Sequence, residues 1–249
     1  MANHRRFLIN PNQINGSDAV ISGETARQIT KVLRLKEGDM ICLLDGLGNE
    51  HSALITSISK DHVSTRIITT NLCDREPKLR LTLAICLPKG DRLDLIVQKC
   101  AELGISKYII VNSERVVTRL DESKAADRLA RWRKIAGEAV EQCGGARLPE
   151  VNGIISFSEL PSEIKKNDLA LVAWEEEQSV SLKGALQENA GAKSVMLIIG
   201  PEGGLTEDEV ETAKSVGAVC VSLGRRVLRT ETAAIAGCAA ILYELEGEL

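Results

Sequence analysis

The sequence predicts an α/β protein in which a larger domain with a parallel sheet follows a small β-rich domain. Up to about residue 68, short runs of β-forming residues are separated by Gly, Asp, Asn and Lys. From about residue 81, continuous apolar runs alternate with helical patterns, which is typical of a parallel sheet covered on both faces. The polar stretch 71–77 ends in proline, and we therefore predict domains at 1–72 and 73–249.

In the first domain the pattern predicts three strands and one helix. The strands are expected at 40–44, 53–58 and 63–68. The helix is expected at 24–35, because apolar residues recur there at helical spacing. These residues are Ala26, Ile29, Val32 and Leu33. Gly46 and Gly48 are not followed by a helical pattern and indicate a hairpin turn. The domain is predicted to be a small β-barrel-like module.

In the second domain, five apolar runs predict a buried, doubly wound sheet. The predicted strands are 81–87, 108–111, 169–174, 195–199 and 219–223. The predicted helices are 93–103, 125–142, 180–189, 207–216 and 231–244. Gly104 is placed to end the first of these helices.

Composition excludes several kinds of function. The 249 residues carry a net charge of −4, so RNA binding requires local basic patches. With two Phe, two Trp and two Tyr, a surface built on aromatic stacking is disfavoured. The three histidines all precede residue 63, which excludes a Ser-His-Asp triad in the second domain.

The cysteines and the N-terminus predict a cytoplasmic protein without a metal site. The seven cysteines are scattered and form no C-x-x-C pair, and we interpret them as buried, reduced thiols. The start of the chain lacks the apolar stretch of a signal peptide, and no apolar run is long enough to span a membrane. We therefore expect a soluble protein with neither a membrane segment nor a metal.

The segment 199–209 is the first motif with chemical content. A buried strand ends at Gly200, a glycine-rich turn follows, and Thr206 with Glu209 predicts a capping box for the next helix. The missing side chains at Gly203 and Gly204 would let backbone amides approach a ligand. The motif lacks the lysine and the spacing of a phosphate-binding loop, and Glu202 would repel a pyrophosphate. A pocket for an uncharged or cationic cofactor is favoured over a turn without a ligand.

The second motif is a basic loop after another predicted strand. Gly224 ends the strand, and Arg225, Arg226 and Arg229 precede a helix that Thr230 is expected to cap. The helix dipole adds to the positive charge at this point. The loop either shares a pocket with the first motif or is a surface loop with solvated arginines.

Together the two motifs resemble the RsmE family of SPOUT-class RNA methyltransferases. The residues that carry the resemblance are GPEGG at 200–204 and LGRRVLRTETA at 223–233. The segment 32–35 (VLRL) with Gly38 and Asp39 is similar to the family's N-terminal PUA-like domain. The resemblance implies a SPOUT-type trefoil-knotted catalytic domain that uses S-adenosylmethionine to methylate N3 of a uridine in 16S rRNA of the small ribosomal subunit. It also implies a homodimer.

The resemblance implies the cofactor-binding positions, and the charge pattern and the chemistry of N3 methylation suggest the RNA-binding and catalytic ones. Cofactor-binding residues are expected at Val172, Trp174, Ile199, Gly200, Pro201, Glu202, Gly203, Gly204, Ser222, Leu223, Gly224, Leu228 and Thr230. RNA-binding residues are expected at Arg5, Arg6, Lys31, Arg34, Lys89 and Arg115. Arg229 is the expected catalytic cation that stabilises the uridine N3 anion, and Glu231 or Glu202 either accepts the proton or fixes this arginine.

Several alternatives stay open at this point. Arg229 could only hold its loop in place, and the first domain could serve dimerisation or packing instead of RNA binding. The protein could methylate another RNA nucleotide. It could also be a non-catalytic RNA-binding factor in ribosome assembly that has kept the pocket.

Overall fold

The computed structural model describes residues 5–116 and 122–247, and the chain divides into two compact units. The first unit comprises Met1–Glu76 and Gly137–Leu148, and the second comprises Pro77–Ala136 and Pro149–Leu249. The predicted boundary between residues 72 and 73 lies close to this division. The contribution of Gly137–Leu148 to the first unit has no counterpart in the sequence pattern.

The first unit contains a six-stranded sheet with the order β1-β4-β5-β6-β3-β2. Its strands are β1 (Arg6–Leu8), β2 (Ile14–Asn15), β3 (Asp18–Ser22), β4 (Met40–Leu44), β5 (Asn49–Ile58) and β6 (His62–Leu72). Strand β1 pairs with β4 in parallel, and the other pairs are antiparallel. Alternate residues of these strands, such as Phe7, Ile41 and Ile55, form the core. The three predicted strands and the hairpin turn at Gly46 and Gly48 are confirmed.

The predicted helix at 24–35 is only partly right. A short helix, α1 (Gly23–Arg27), is followed by a π-helical turn over Gln28–Val32. The Leu33 amide donates to the Gln28 carbonyl, five residues earlier, at 2.9 Å. Arg34 then has a left-handed backbone with φ of 52°, which ends the helical path before residue 35.

The second unit contains a parallel six-stranded sheet with the order β12-β10-β11-β7-β8-β9. Its strands are β7 (Arg80–Cys86), β8 (Lys107–Asn112), β9 (Glu150–Ser156), β10 (Leu169–Ala173), β11 (Ser194–Ile199) and β12 (Val219–Val221). Its helices are α2 (Arg92–Glu102), α3 (Glu122–Cys143), α4 (Leu160–Ile164), α5 (Leu182–Glu188), α6 (Glu207–Ser215) and α7 (Thr230–Glu246). Residues of α3 after Ala136 belong to the first unit.

The five predicted strands and five predicted helices of this unit are confirmed, with ends that differ by a few residues. Gly104 follows α2 with φ of 84°, as expected of a residue that ends a helix. Strand β9 was not predicted, because this edge strand is mostly exposed and carries Asn152 and Gly153 in its middle. Helix α4 was also missed.

Helix α7 lies against the middle of the sheet. It contacts β11 and β7 on one side and α2 and α5 on others. The approach is close at Gly237, where a Cβ atom would lie 2.7 Å from Leu197 Cδ2. The small residues of α7, which is rich in Ala and Gly, therefore allow close packing within the chain. The predicted cap at Thr230 is wrong: Arg229 precedes the helix as its N-cap and makes no side-chain capping bond.

The backbone of Val221 and Ser222, where β12 ends, is hydrogen-bonded to neighbouring segments on both sides. On one side the Trp174 amide donates to the Val221 carbonyl (3.2 Å). On the other side the Ser222 amide donates to the Val180 carbonyl (2.8 Å), and the Leu182 amide donates to the Ser222 carbonyl (3.0 Å). Residues 175–179, which we call the crossover, therefore pass from one side of this segment to the other. Such interlocking is what the knotted fold expected from the resemblance requires.

The cysteines are mostly buried, as predicted, with one clear exception. All seven are free thiols, but Cys143 at the end of α3 is exposed and Cys42 is only partly buried. Burial raises the pKa of the Cys86 thiol to about 12 and that of Cys42 to about 11. Within residues 5–116 and 122–247, no helix is long and apolar enough to cross a membrane.

The crossover is organised by Glu177, whose carboxylate accepts hydrogen bonds from the Ser179 hydroxyl and from the amides of Val180 and Ser179. These bonds lower the pKa of Glu177 from 4.5 to about 2, and the bond from the Ser179 hydroxyl has the largest effect. The ionised form is therefore favoured by folding. Its contribution to stability is complete above the unfolded-state pKa of 4.5 and is lost as the pH falls through about 2.

We predict that Glu177→Gln, which removes only the charge, is less stable than the wild type at about pH 7. The difference should narrow steadily as the pH is lowered towards about 3, because protonation progressively removes the wild-type advantage. Thermal unfolding of both proteins across this pH series is the measurement. A difference that stays constant with pH would contradict the role of the ionised carboxylate.

Candidate functional site

The second unit contains a cavity of about 480 Å³ at the carboxyl edge of its sheet. The loops that follow β10, β11 and β12 form its walls, together with Arg92 from the start of α2. Because these three strands are parallel neighbours, their carboxyl ends meet at one edge. The two motifs identified in the sequence therefore share one pocket, and the alternative of an isolated surface loop is excluded.

One wall is the turn 200–204, which has little room for side chains. Gly204 has a left-handed backbone (φ of 72°), and a Cβ atom there would collide with the Glu175 carboxylate. A Cβ atom on Gly200 would lie 3.1 Å from Leu205 Cγ. The predicted capping box of α6 follows directly: Thr206 Oγ1 accepts from the Glu209 amide (3.3 Å), and Glu209 Oε2 accepts from the Thr206 amide (2.9 Å).

The turn is held from two neighbouring loops. Arg115 Nη1 donates to the Gly203 carbonyl at 3.0 Å. Glu202 Oε1 accepts from Arg92 Nη1 at 2.6 Å and from the Lys89 amide at 3.0 Å. Two residues expected to bind RNA, Lys89 and Arg115, thus have positions beside the turn, and Arg115 uses part of its guanidinium to support it.

A second wall is the basic loop between β12 and α7. Arg225, Arg226 and Arg229 line the cavity and are exposed. In the part of the chain that the structure describes, no carboxylate lies within 4.0 Å of these three guanidinium groups. Val227 between them is 83% exposed. Arg229 directly precedes α7, where the helix dipole adds to the positive charge.

The structure brings most of the predicted cofactor residues to the cavity. Those that line it are Trp174, Ile199, Gly200, Pro201, Glu202, Gly204, Ser222, Leu223, Gly224, Leu228 and Thr230. Val172 lies within β10 and is fully buried. Gly203 faces Arg115, since a Cβ atom there would lie 3.4 Å from Arg115 Cβ. These two positions are outside the lining.

Of the two predicted catalytic residues, Arg229 lines the cavity and Glu231 does not. Glu231 is in the first turn of α7, and its Oε2 atom is buried without a hydrogen-bond partner among the described residues. Glu202, the alternative proton acceptor, is occupied by Arg92 and the Lys89 amide.

Among the lining residues that were not predicted as individual candidates, two are charged and outside the two motifs, Arg92 and Glu175. Arg92 begins α2 just after β7, and β7 is the sheet neighbour of β11. That adjacency places its side chain next to Glu202, but it becomes visible only once the strand order is known. Glu175 directly follows Trp174 in the loop after β10, and it is not part of either sequence motif.

The other predicted RNA-binding residues are in the first unit. Arg5, Lys31 and Arg34 are exposed. Arg5 Nη1 donates to the Leu33 carbonyl at 3.1 Å, next to the left-handed Arg34. Arg6 is partly buried, and its Nε atom lies 3.9 Å from Glu50 Oε1. No group of three or more His, Cys, Asp or Glu side chains within the described ranges is arranged to hold a metal ion.

Comparison with known protein families decides the classification. Residues 75–242 match the family model described as RNA methyltransferase domain, and residues 21–68 match the RNA methyltransferase PUA domain. The chain belongs to the RNA methyltransferase family. The resemblance to RsmE proteins is confirmed by curated relatives and solved structures, and with it the SPOUT-type α/β fold preceded by a PUA-like domain.

The relatives of this methyltransferase family cover nearly the whole chain. Ribosomal RNA small subunit methyltransferase E of Bacillus subtilis is 39% identical over 230 residues, 91% of this chain and 90% of the relative. The structure of the Neisseria gonorrhoeae protein of that name, bound to S-adenosyl methionine, is 32% identical with a TM-score of 0.85. The match covers 96% of this chain and 97% of the Neisseria gonorrhoeae chain. A methyltransferase of Legionella pneumophila in complex with SAM is 30% identical (TM-score 0.81, 97% of each chain).

Proposed function

We propose that this protein is an S-adenosylmethionine-dependent methyltransferase that acts on N3 of a uridine in 16S rRNA of the small ribosomal subunit. The observation that carries the proposal is the cavity at the three strand ends, which combines a glycine-rich wall with a wall of arginines that have no acidic partner among the described residues. Membership of the RNA methyltransferase family supports the chemistry, and the names of the relatives support the substrate.

The residues of the cavity fit such a cofactor. Its volume is in the range of small-molecule sites, and its lining mixes apolar side chains with backbone polar groups. Gly204 lines this cavity with a left-handed backbone and no side chain, so a ligand can approach the backbone closely there. The residues that would hold the cofactor are the predicted cofactor-binding residues that line the cavity. They include Trp174, Ile199, Pro201, Leu223 and Leu228. When bound, the cofactor supplies an activated methyl group.

Arg229 has the position required of the catalytic cation. Uracil N3 is a poor nucleophile until it loses its proton, and the resulting anion is delocalised onto O2 and O4. A guanidinium at the start of α7 stabilises that charge, and the helix dipole acts in the same direction. Of the two candidate proton acceptors, Glu202 lines the cavity, although Arg92 and the Lys89 amide already engage its carboxylate, whereas Glu231 lies outside the lining.

RNA recognition is assigned to the exposed cations. The proposed contacts in the first unit are the exposed Arg5, Lys31 and Arg34, together with the partly buried Arg6, and their targets are phosphates and RNA shape. In the second unit, Lys89 and Arg115 flank the cavity turn. The target uridine must leave its stack to reach the cavity.

A symmetric homodimer in the cytoplasm completes the proposal. The face of α7 that points away from the sheet carries Thr232, Ala236, Ala240 and Tyr243, all exposed, with Tyr243 at 63%. Small residues next to an exposed aromatic permit close contact with a second copy of the helix.

We predict that Gly204→Ala weakens binding of S-adenosylmethionine by about tenfold or more. A side chain at this position is strained at positive φ and displaces the Glu175 carboxylate. Isothermal titration calorimetry is the measurement, with Gly203→Ala as the matched control, because a Cβ atom at Gly203 makes only an ordinary contact with Arg115. Equal affinities for the two variants would contradict the placement of the cofactor against Gly204.

We predict that Arg229→Ala lowers the methylation rate by about a hundredfold while the affinity for the cofactor stays nearly unchanged. Loss of one preorganised charge stabiliser affects the transition state more than the neutral ground state. Raising the pH should partly rescue the variant, because more N3 is then ionised, and Arg229→Lys should keep part of the activity. The assay is single-turnover transfer of labelled methyl to undermethylated small subunits across a pH series. If the defect lies wholly in cofactor binding, Arg229 only holds its loop.

The substrate assignment is tested by mass spectrometry of rRNA nucleosides from a strain that lacks this gene. We expect 3-methyluridine to disappear from 16S rRNA and to return when the wild-type gene is restored, but not when Arg229→Ala is supplied. Loss of a different methylated nucleoside would show that the protein modifies another position. An unchanged nucleoside profile would favour the non-catalytic assembly factor.

A further inference from the structure

The cavity contains two carboxylates whose surroundings differ. Glu202 is neutralised by Arg92 at 2.6 Å and also accepts from the Lys89 amide. Glu175 makes no hydrogen bond and has no Lys, Arg or His within 4.0 Å among residues 5–116 and 122–247. The same cavity is lined by Arg225, Arg226 and Arg229, which are equally without an acidic partner there. Opposite charges thus line one cavity without pairing.

The Glu175 carboxylate lies against the glycine turn. Its Oε1 atom is where a side chain on Gly204 would be, so the two are close neighbours in the cavity. Trp174, the neighbour of Glu175, is fixed by the bond from its amide to the Val221 carbonyl. Glu175 therefore places a negative charge beside the turn 200–204. The arginines place positive charge in the loop between β12 and α7.

An unpaired carboxylate in a concave site attracts a cation. Resting on the function proposed above, we propose that Glu175 binds a positive charge of the cofactor, either the sulfonium or the α-ammonium group. The arginine loop is then left for the anionic partner, the RNA. This difference in ligands accounts for the absence of an ion pair between Glu175 and the three arginines of the same cavity. Each charged group binds a ligand of opposite sign.

Three probes distinguish the charge that is recognised. S-adenosylmethionine carries both the sulfonium and the α-ammonium group, S-adenosylhomocysteine keeps only the ammonium, and 5′-methylthioadenosine has neither. Calorimetry with the full-length wild type and Glu175→Gln measures all three affinities. Glu176→Gln is the matched control, because Glu176 is the next residue in the chain and is exposed like Glu175, but is not part of the cavity lining.

We expect Glu175→Gln to weaken S-adenosylmethionine binding by about tenfold and to leave 5′-methylthioadenosine binding unchanged. If S-adenosylhomocysteine is also weakened, the partner is the α-ammonium group; if it is not, the partner is the sulfonium. Glu176→Gln should bind all three like the wild type.

Two results would overturn the proposal. Equal weakening of all three probes would place Glu175 on the ribose or adenine, and wild-type affinities in Glu175→Gln would mean that the carboxylate contacts no cofactor group. A wild type that binds none of the three probes would instead refute the proposed cofactor, and with it this inference. A wild type that binds them while Glu175→Gln behaves normally refutes only the role of Glu175.

Discussion

The hydrogen bonds on both sides of Val221–Ser222 are the constraint on which the rest of the site depends. Val221 is fully buried, so its carbonyl must find a partner within the protein. The Trp174 amide satisfies it on one side, and Val180 and Leu182 bind the Ser222 backbone on the other. This pairing forces the loops after β10 and β12 together and so brings Glu175 and the three arginines to one cavity.

The same arrangement brings Glu175 against the glycine turn. The bond from the Trp174 amide to the Val221 carbonyl fixes the backbone before Glu175, and a side chain at Gly204, which has a left-handed backbone, would displace the Glu175 carboxylate. The turn itself is supported by Arg92, which lines the cavity, and by Arg115, which does not. A binding wall assembled in this way can be rigid although it consists of loops, because each loop is bonded to at least one neighbour.

Much of this could be predicted from the sequence because the strong signals are local. The strand at 194–199, the capping box at Thr206 and the end of α2 at Gly104 each depend on residues close together in the chain. The turn and the basic loop could be joined into one pocket because both follow buried strands. The role of Arg92 could not be predicted, since it arises from the order of strands β7 and β11, which local patterns do not specify.

Errors of the sequence analysis have equally physical causes. The helical pattern at 24–35 is genuine as a periodicity, but a π-helical turn and the left-handed Arg34 cut it short. The sequence pattern did not predict strand β9, because an edge strand needs to bury only a few of its residues. Gly203 and Gly204 are indistinguishable in the motif, whereas in the structure one faces Arg115 and the other faces Glu175.

The net charge of −4 does not conflict with a role on RNA, because pairing decides which charges act at a distance. Many cations of the second unit are neutralised locally, as Lys107 is by Glu163 and Arg128 by Asp91. At physiological ionic strength, fields are screened over about 8 Å, so an RNA strand at the cavity responds to nearby side chains rather than to the total. There the arginines at 225, 226 and 229 are free of acidic partners in the described chain. Under the proposed function, a few contacts of this kind would give modest affinity, and specificity would then depend on the shape of the RNA.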